Sequence, residues 1–196
     1  APSILELVKQ ALSGRVNYTI TDTSLMPAAV MLLLYPKDGE YCVLLNKRSE
    51  VVEHHKGEIS FPGGARDPED QDFLETALRE TEEEMGISRA DVTVLGQLDD
   101  VVTRSNFGVR VFIGTIPYPY AFNPSAIEIA EVLEVPISTL LNPANLRYET
   151  RLVDGLATTA RSYAYYEHLV FGATAKILQQ FLETVEDGFI KGGTLI

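Results

Sequence analysis

Apolar and polar positions along this chain recur with two periods, and each change of period marks a predicted element. Ser3-Ile4-Leu5-Glu6 has capping-box spacing and Gly14 supplies a stop, so Ile4, Leu7, Val8, Ala11 and Leu12 predict an amphipathic helix over 4–13. Two apolar runs, 28–35 and 41–46, read as strands flanking the turn composition Pro36-Lys37-Asp38-Gly39-Glu40. Segment 54–64 is punctuated by Gly57, Pro62, Gly63 and Gly64 and reads as an ordered loop. A helical period follows over 70–85, closed by Gly86. Strands are predicted at 92–102 and 107–116, then a proline-rich loop over 117–124. A short strand and short helix share 132–141, strands recur at 147–153 and 161–170, and a last helix covers 173–186. Because strands and helices do not alternate regularly, the pattern favours an α+β fold with a mixed sheet over a doubly wound one. With 196 residues and no internal repeat or linker, a single domain over 1–196 is expected, residues 1–15 forming a helical appendage.

Charge sharpens the picture. The formal net charge is −12, which excludes the basic stripe of a nucleic-acid groove and the polybasic patch of a membrane anchor. No apolar run approaches the ~18 residues that would span a bilayer. Cys42 is the one cysteine and sits in an apolar run, so a small buried hydrophobe is expected there and a cytoplasmic location suits the chain. The acid is concentrated between Asp67 and Glu84, where Arg79 is the one base.

At about 100° per residue, Glu80, Glu83 and Glu84 share one face of the 70–85 helix, while Glu82 points away. Leu74, Ala77, Leu78, Thr81 and Met85 form a separate stripe suited to packing. Like charges on neighbouring turns repel, which Arg79 offsets through Glu83 and a hard divalent cation would offset far more. A solvated glutamate-rich face is the plain alternative.

Phe61-Pro62-Gly63-Gly64 followed by Arg79-Glu80-Thr81-Glu82-Glu83-Glu84-Met85-Gly86-Ile87 resembles the Nudix box. That pattern is a glycine, five residues, a glutamate, seven residues, then Arg-Glu-apolar-x-Glu-Glu-x-Gly-apolar. Here Thr81 replaces the aliphatic residue, Asp70 stands where the first glutamate belongs, and the interval before Arg79 is one residue longer. Upstream, Leu44-Leu45-Asn46-Lys47-Arg48-Ser49 with His55, Gly57 and Phe61 to Gly64 resembles the motif of coenzyme A pyrophosphatases. Asn46 stands there for a threonine and Glu53 for a basic residue. Phe171-Gly172-Ala173-Thr174-Ala175 with Ile177-Leu178 is similar to a helix start of the same group.

The resemblance implies a Nudix fold, a mixed sheet sandwiched between helices, and a hydrolase cleaving coenzyme A and its acyl derivatives to 3′,5′-ADP and 4′-phosphopantetheine. It implies Mg²⁺ or Mn²⁺ held by Glu80, Glu83 and Glu84, with Arg79 orienting a glutamate. Glu83 is the first candidate for general base and Glu128 the second, its alternative role being a first-turn helix acid. Gly63 and Gly64 are expected to let the backbone turn sharply. Lys47, Arg48, His55, Gly57, Phe61, Gly63, Gly64 and Arg66 are the candidate substrate-binding residues, with His54 and Lys56 as further cations beside them. A zinc pair at His54-His55 is disfavoured because no cysteine pair accompanies it. Hydrolysis of ADP-ribose or a dinucleotide such as NADH, and a non-catalytic nucleotide-binding module, are the competing readings. The expected partner in every case is a small pyrophosphate molecule, with neither nucleic acid nor membrane.

Overall fold

The computed structural model describes residues 2–53 and 55–191, with side chains as far as Glu186. Helix α1 (Ile4–Ser13) opens the chain, its capping box closed by Ser3 and Glu6. Strands β1 (Met26–Lys37), β2 (Glu40–Arg48), β3 (Ile59–Ser60) and β4 (Gly63–Ala65) precede helix α2 (Phe73–Met85). Strands β5 (Thr93–Gln97), β6 (Val101–Val102), β7 (Phe107–Thr115) and β8 (Ile129–Pro136) follow, then the short helix α3 (Ile137–Leu141). Strands β9 (Leu146–Val153), β10 (Leu156–Tyr165) and β11 (His168–Val170) lead into helix α4 (Gly172–Lys191).

The main sheet runs β3-β2-β1-β7-β5, with β4 on β1, β6 on β7 and β8 on β2. It is mixed: β1 and β7 pair in parallel, from Met26 opposite Phe107 to Leu33 opposite Gly114, while β1 and β2 form an antiparallel hairpin. Strand pleating divides β1 between two cores. Ala29, Met31, Leu33 and Tyr35 face the layer holding Ala77 and Met85 of α2, and Leu32 and Leu34 face the layer holding Phe181 and Leu182 of α4. Helices therefore cover both faces, and the fold is the α+β sandwich that the resemblance implies. Helix α1 lies on the α4 side, burying Val8 and Leu12; a Cβ on Gly96 of β5 would sit 2.7 Å from that of Leu12. Among the described residues no helix is long and apolar enough to cross a membrane. Cys42 is buried, and burial pushes its thiol up to about 12.

Several element boundaries differ from the sequence reading: the segment 54–64 expected as a loop holds β3 and the start of β4, β8 starts at Ile129, and β10 starts at Leu156. Helix α2 begins at Phe73, because the Asp72 side chain accepts from the Glu75 amide and ends the preceding turn. The expected strand 92–102 is broken into β5 and β6 at Leu98, whose amide bonds the Val111 carbonyl while Asp99 turns to Gln180. Segment 161–170 turns back on itself at Tyr166, which carries φ 51°, to form β10 and β11.

Candidate active site

The loop before α2 builds the floor of the site. Gly63 and Gly64 lie on β4, paired with Val30 and Ala29 of β1. Neither has a positive φ, so the sharp turn expected of them is not their role. A Cβ on Gly63 would run into the Ala29 carbonyl, and one on Gly64 would lie 2.6 Å from the Glu80 carboxyl carbon. Gly64 gives Glu80 room to lie against the sheet, and Gly63 lets β4 close on β1.

Asp70 is the residue whose role the sequence left open. It is buried in the turn ahead of α2, its carboxylate accepting from the Asp67 amide (2.9 Å) and the Thr76 hydroxyl (2.8 Å). Arg79 reaches back from α2 and donates two parallel bonds, Nε to Oδ1 at 2.9 Å and Nη2 to Oδ2 at 3.0 Å. The bonds from Arg79 outweigh burial and hold the Asp70 carboxyl well below the usual range. Arg79 then presents Nη1 to Glu80 at 3.0 Å and to Glu83 at 3.4 Å. The extra loop residue thus leaves the arginine anchored and turned toward the box glutamates.

Glu84 is buried at 3% exposure, with Arg48 Nη1 at 3.6 Å and Asn46 Nδ2 at 3.4 Å. Burial pushes its carboxyl up to about 8 against the opposing pull of Arg48. Glu80 is raised as well, chiefly by burial, with Arg79 opposing and Glu83 and Glu128 adding to the rise. Two desolvated carboxylates side by side are poorly compensated by one arginine each. Hard oxygen donors in that state suit a divalent cation, which supplies the missing positive charge. Glu83 is half-exposed and turned to Arg79. The box carboxylates do not gather as tightly as Glu131, Glu167 and His168, whose ligand atoms all lie within 4.8 Å of one another.

Above these residues opens a cavity of about 410 Å³. It brings together Arg48, His55, Phe61, Gly63, Gly64, Glu80, Glu84 and Glu128 from the sequence-derived set. Glu128 arrives because the 117–128 loop is laced to the end of α2: Asn123 donates to Met85 and Ser125 to Glu84. No helix begins at Glu128; β8 does, at Ile129. His55 is held at both ring nitrogens, Nδ1 to Glu58 and Nε2 to Ser105, each at 2.9 Å.

Lys47, Gly57, Arg66, Arg79 and Glu83 do not line the cavity. Lys47 and Arg48 are neighbours on β2, so the pleat sends them to opposite faces. Gly57 has φ 68° and donates to the Arg48 carbonyl, shaping the loop from behind. Arg66 lies over the Phe73 ring, 4.7 Å from its centroid, in a separate hollow. His54 lies outside the described residues.

Several lining residues carry no motif: Arg104, Phe107 and Glu58. Arg104 sits in the Thr103–Asn106 turn between β6 and β7 and lines the same cavity as Glu80 and Glu84 of α2. Phe171, Thr174 and Ile177 come from the start of α4, tied to β3 by a bond from the Thr174 hydroxyl to the Ile59 carbonyl at 3.1 Å.

A Nudix domain profile matches residues 25–136. The chain belongs to the Nudix hydrolase family. A protein of Photorhabdus laumondii named uncharacterized Nudix hydrolase NudL is 35% identical over 159 residues, covering 81% of this chain and 84% of that protein. The Yersinia enterocolitica protein of the same name is 35% identical over 148 residues, covering 74% and 75%. Among solved structures, a Nudix hydrolase from Alicyclobacillus acidocaldarius superposes with a TM-score of 0.55 at 19% identity, covering 84% of this chain and 93% of that one, a likeness of fold. The Nudix profile ends at Pro136, so the α4 wall of the cavity lies outside the matched segment.

Proposed function

We propose that this Nudix hydrolase is a metal-dependent pyrophosphatase acting on coenzyme A and its acyl derivatives. One observation carries the reading: a single cavity is lined by the carboxylates Glu80 and Glu84, the basic side chains Arg48, His55 and Arg104, and the apolar Phe107, Phe171 and Ile177. A substrate with a pyrophosphate, a further phosphate and a long neutral arm matches that combination of surfaces. The motif resemblance at 44–64 and 171–178 supports the same substrate.

Glu80 and Glu84 would hold Mg²⁺ or Mn²⁺, joined by Glu83 on leaving Arg79. When bound, such an ion would supply positive charge against the pyrophosphate oxygens and would make water a better nucleophile at neutral pH. The chain's own residues do the rest. Asp70 fixes Arg79, which sets the direction of Glu80 and Glu83. Glu128 lines the cavity beside Glu80 and Glu84 and is the better placed group to take the proton of the attacking water, Glu83 being turned outward. Arg48 faces both Glu84 and the cavity, and Arg104 offers an exposed cation for the additional phosphate.

The test is product identification with Mg²⁺ and a panel of coenzyme A, 3′-dephospho-coenzyme A, ADP-ribose and NADH. Release of 3′,5′-ADP and 4′-phosphopantetheine from coenzyme A, at the highest kcat/KM of the panel, is expected. Preference for ADP-ribose or NADH overturns the substrate, and binding without turnover of any of them overturns the enzyme.

A further inference from the structure

Strand β9 is an edge with an unfinished sheet beside it. Among the described residues it pairs with β10 alone, in unbroken register from Leu146 opposite Tyr163 to Val153 opposite Leu156. The inner end of this hairpin is anchored, with Tyr163 fully buried and Leu146 packed on the core. Outward from there every residue of β9 is exposed, and Tyr148 and Leu152 are 62% and 78% exposed. A two-stranded ribbon wet on both faces is marginal in water. The edge has no proline or bulge, and its charged side chains, Arg147, Glu149 and Arg151, are of both signs, so they can complement one another across a ladder as well as protect it. Yet the strand alternates as a half-buried one does: Leu146, Tyr148, Thr150 and Leu152 on one face, Arg147, Glu149 and Arg151 on the other.

The charge order of the strand names the occupant. We propose that β9 pairs antiparallel with β9 of a second copy of this chain, about a two-fold axis through Thr150, joining two three-stranded sheets into one of six. In this register Glu149 of each copy faces Arg151 of the other, Tyr148 faces Leu152, and Thr150 faces itself. Opposite charges and an aromatic–aliphatic pair directly across a ladder are the stabilising combinations, and like charges there are destabilising. A two-fold axis at Glu149 would set that carboxylate against itself and Arg147 against Arg151. One at Tyr148 would also set Glu149 against Arg147, but it would place Arg151 and Leu152 opposite Asn145 and Ala144, beyond the start of the strand, and so shorten the ladder. Within one copy Arg151 already grips Glu149 at 2.9 and 3.0 Å, so the dimer would carry a four-charge cluster at its centre. The contact is isologous, as closed dimers require.

Sedimentation velocity on the intact chain tests this directly. Wild type is expected at about twice 21.6 kDa. Glu149→Arg and Arg151→Glu should each raise the dissociation constant roughly tenfold or more, by setting like charges across both symmetry-related pairs. An equimolar mixture of the two variants should recover the dimer, since each then meets its complement. Far-UV circular dichroism and melting temperature confirm that the variants are folded. Hydrogen exchange of wild type supplies a measurement free of substitutions: β9 amides should be better protected at high than at low protein concentration. A monomeric wild type overturns the proposal, as does a dimer indifferent to Glu149→Arg or a mixture that stays monomeric. A monomer whose β9 amides are protected at every concentration also overturns it.

Discussion

Replacing Asp70 with asparagine tests whether a residue outside helix α2 governs the helix's chemistry. The native carboxylate accepts four hydrogen bonds, from the Asp67 amide, the Thr76 hydroxyl and two nitrogens of Arg79. Breaking a buried ion pair by removing one partner costs about 3–5 kcal/mol. Arg79 here keeps some exposure and retains Glu80 and Glu83, so a loss nearer ~2–3 kcal/mol is expected. In a chain of this size that lowers the melting temperature by roughly 5–10 °C. The loss also has a pH signature. The folded-state pKa of Asp70 lies below its unfolded value of about 3.9, so its contribution is complete above that value and fades as pH falls through it toward the folded pKa. Wild type and Asp70→Asn should therefore differ fully at neutral pH and converge in strong acid. Urea unfolding in chelator across this range measures the gap without metal. The same variant should lose about tenfold in kcat, because Arg79 no longer holds Glu80 and Glu83 in one direction. A variant within ~0.5 kcal/mol of wild type at neutral pH, the scatter of ordinary surface changes, refutes the reasoning. So does a gap that persists unchanged in acid.

Two other predictions concern the cavity. Glu84→Gln keeps the volume but removes a buried ligand charge, so a rate loss of about 10²-fold or more is expected, with a higher melting temperature in chelator than wild type; full activity of the variant would sink the metal role, and calorimetry checks the stability. Arg104→Ala should narrow the preference for coenzyme A over its 3′-dephospho form by about tenfold, the worth of one charge-assisted contact, while leaving ADP-ribose turnover nearly unchanged. Arg48→Ala would be a poorer probe, since it also strips Glu84 of its nearby cation. Equal kcat/KM ratios in wild type and Arg104→Ala would remove Arg104 from phosphate recognition.

How much of this protein the amino-acid order determines by itself depends on the range of the interactions involved. The apolar alternation of 28–35 and the period of α2 with its Gly86 stop are local matters of pleat, pitch and capping, and they were legible. The placing of Glu80, Glu83 and Glu84 on one helix turn belongs to the same class. Thr81 in the aliphatic slot of the box was legible as a departure, but that it stays buried by donating to the Ala77 carbonyl at 2.7 Å was not. Residue spacing marked Asp70 as misplaced; only the folded turn showed it reaching Arg79 from nine residues away. Adjacency on β2 suggested that Lys47 and Arg48 act together, and the pleat separated them. The cavity itself is wholly tertiary: Arg48, Arg104, Glu128 and Thr174 come from four distant segments, and no local preference records which of them will meet. Tertiary structure decides there because packing two layers on one sheet brings together residues whose own backbone conformations are indifferent to the encounter. In β9 the order of residues signals a half-buried strand that the single chain leaves exposed.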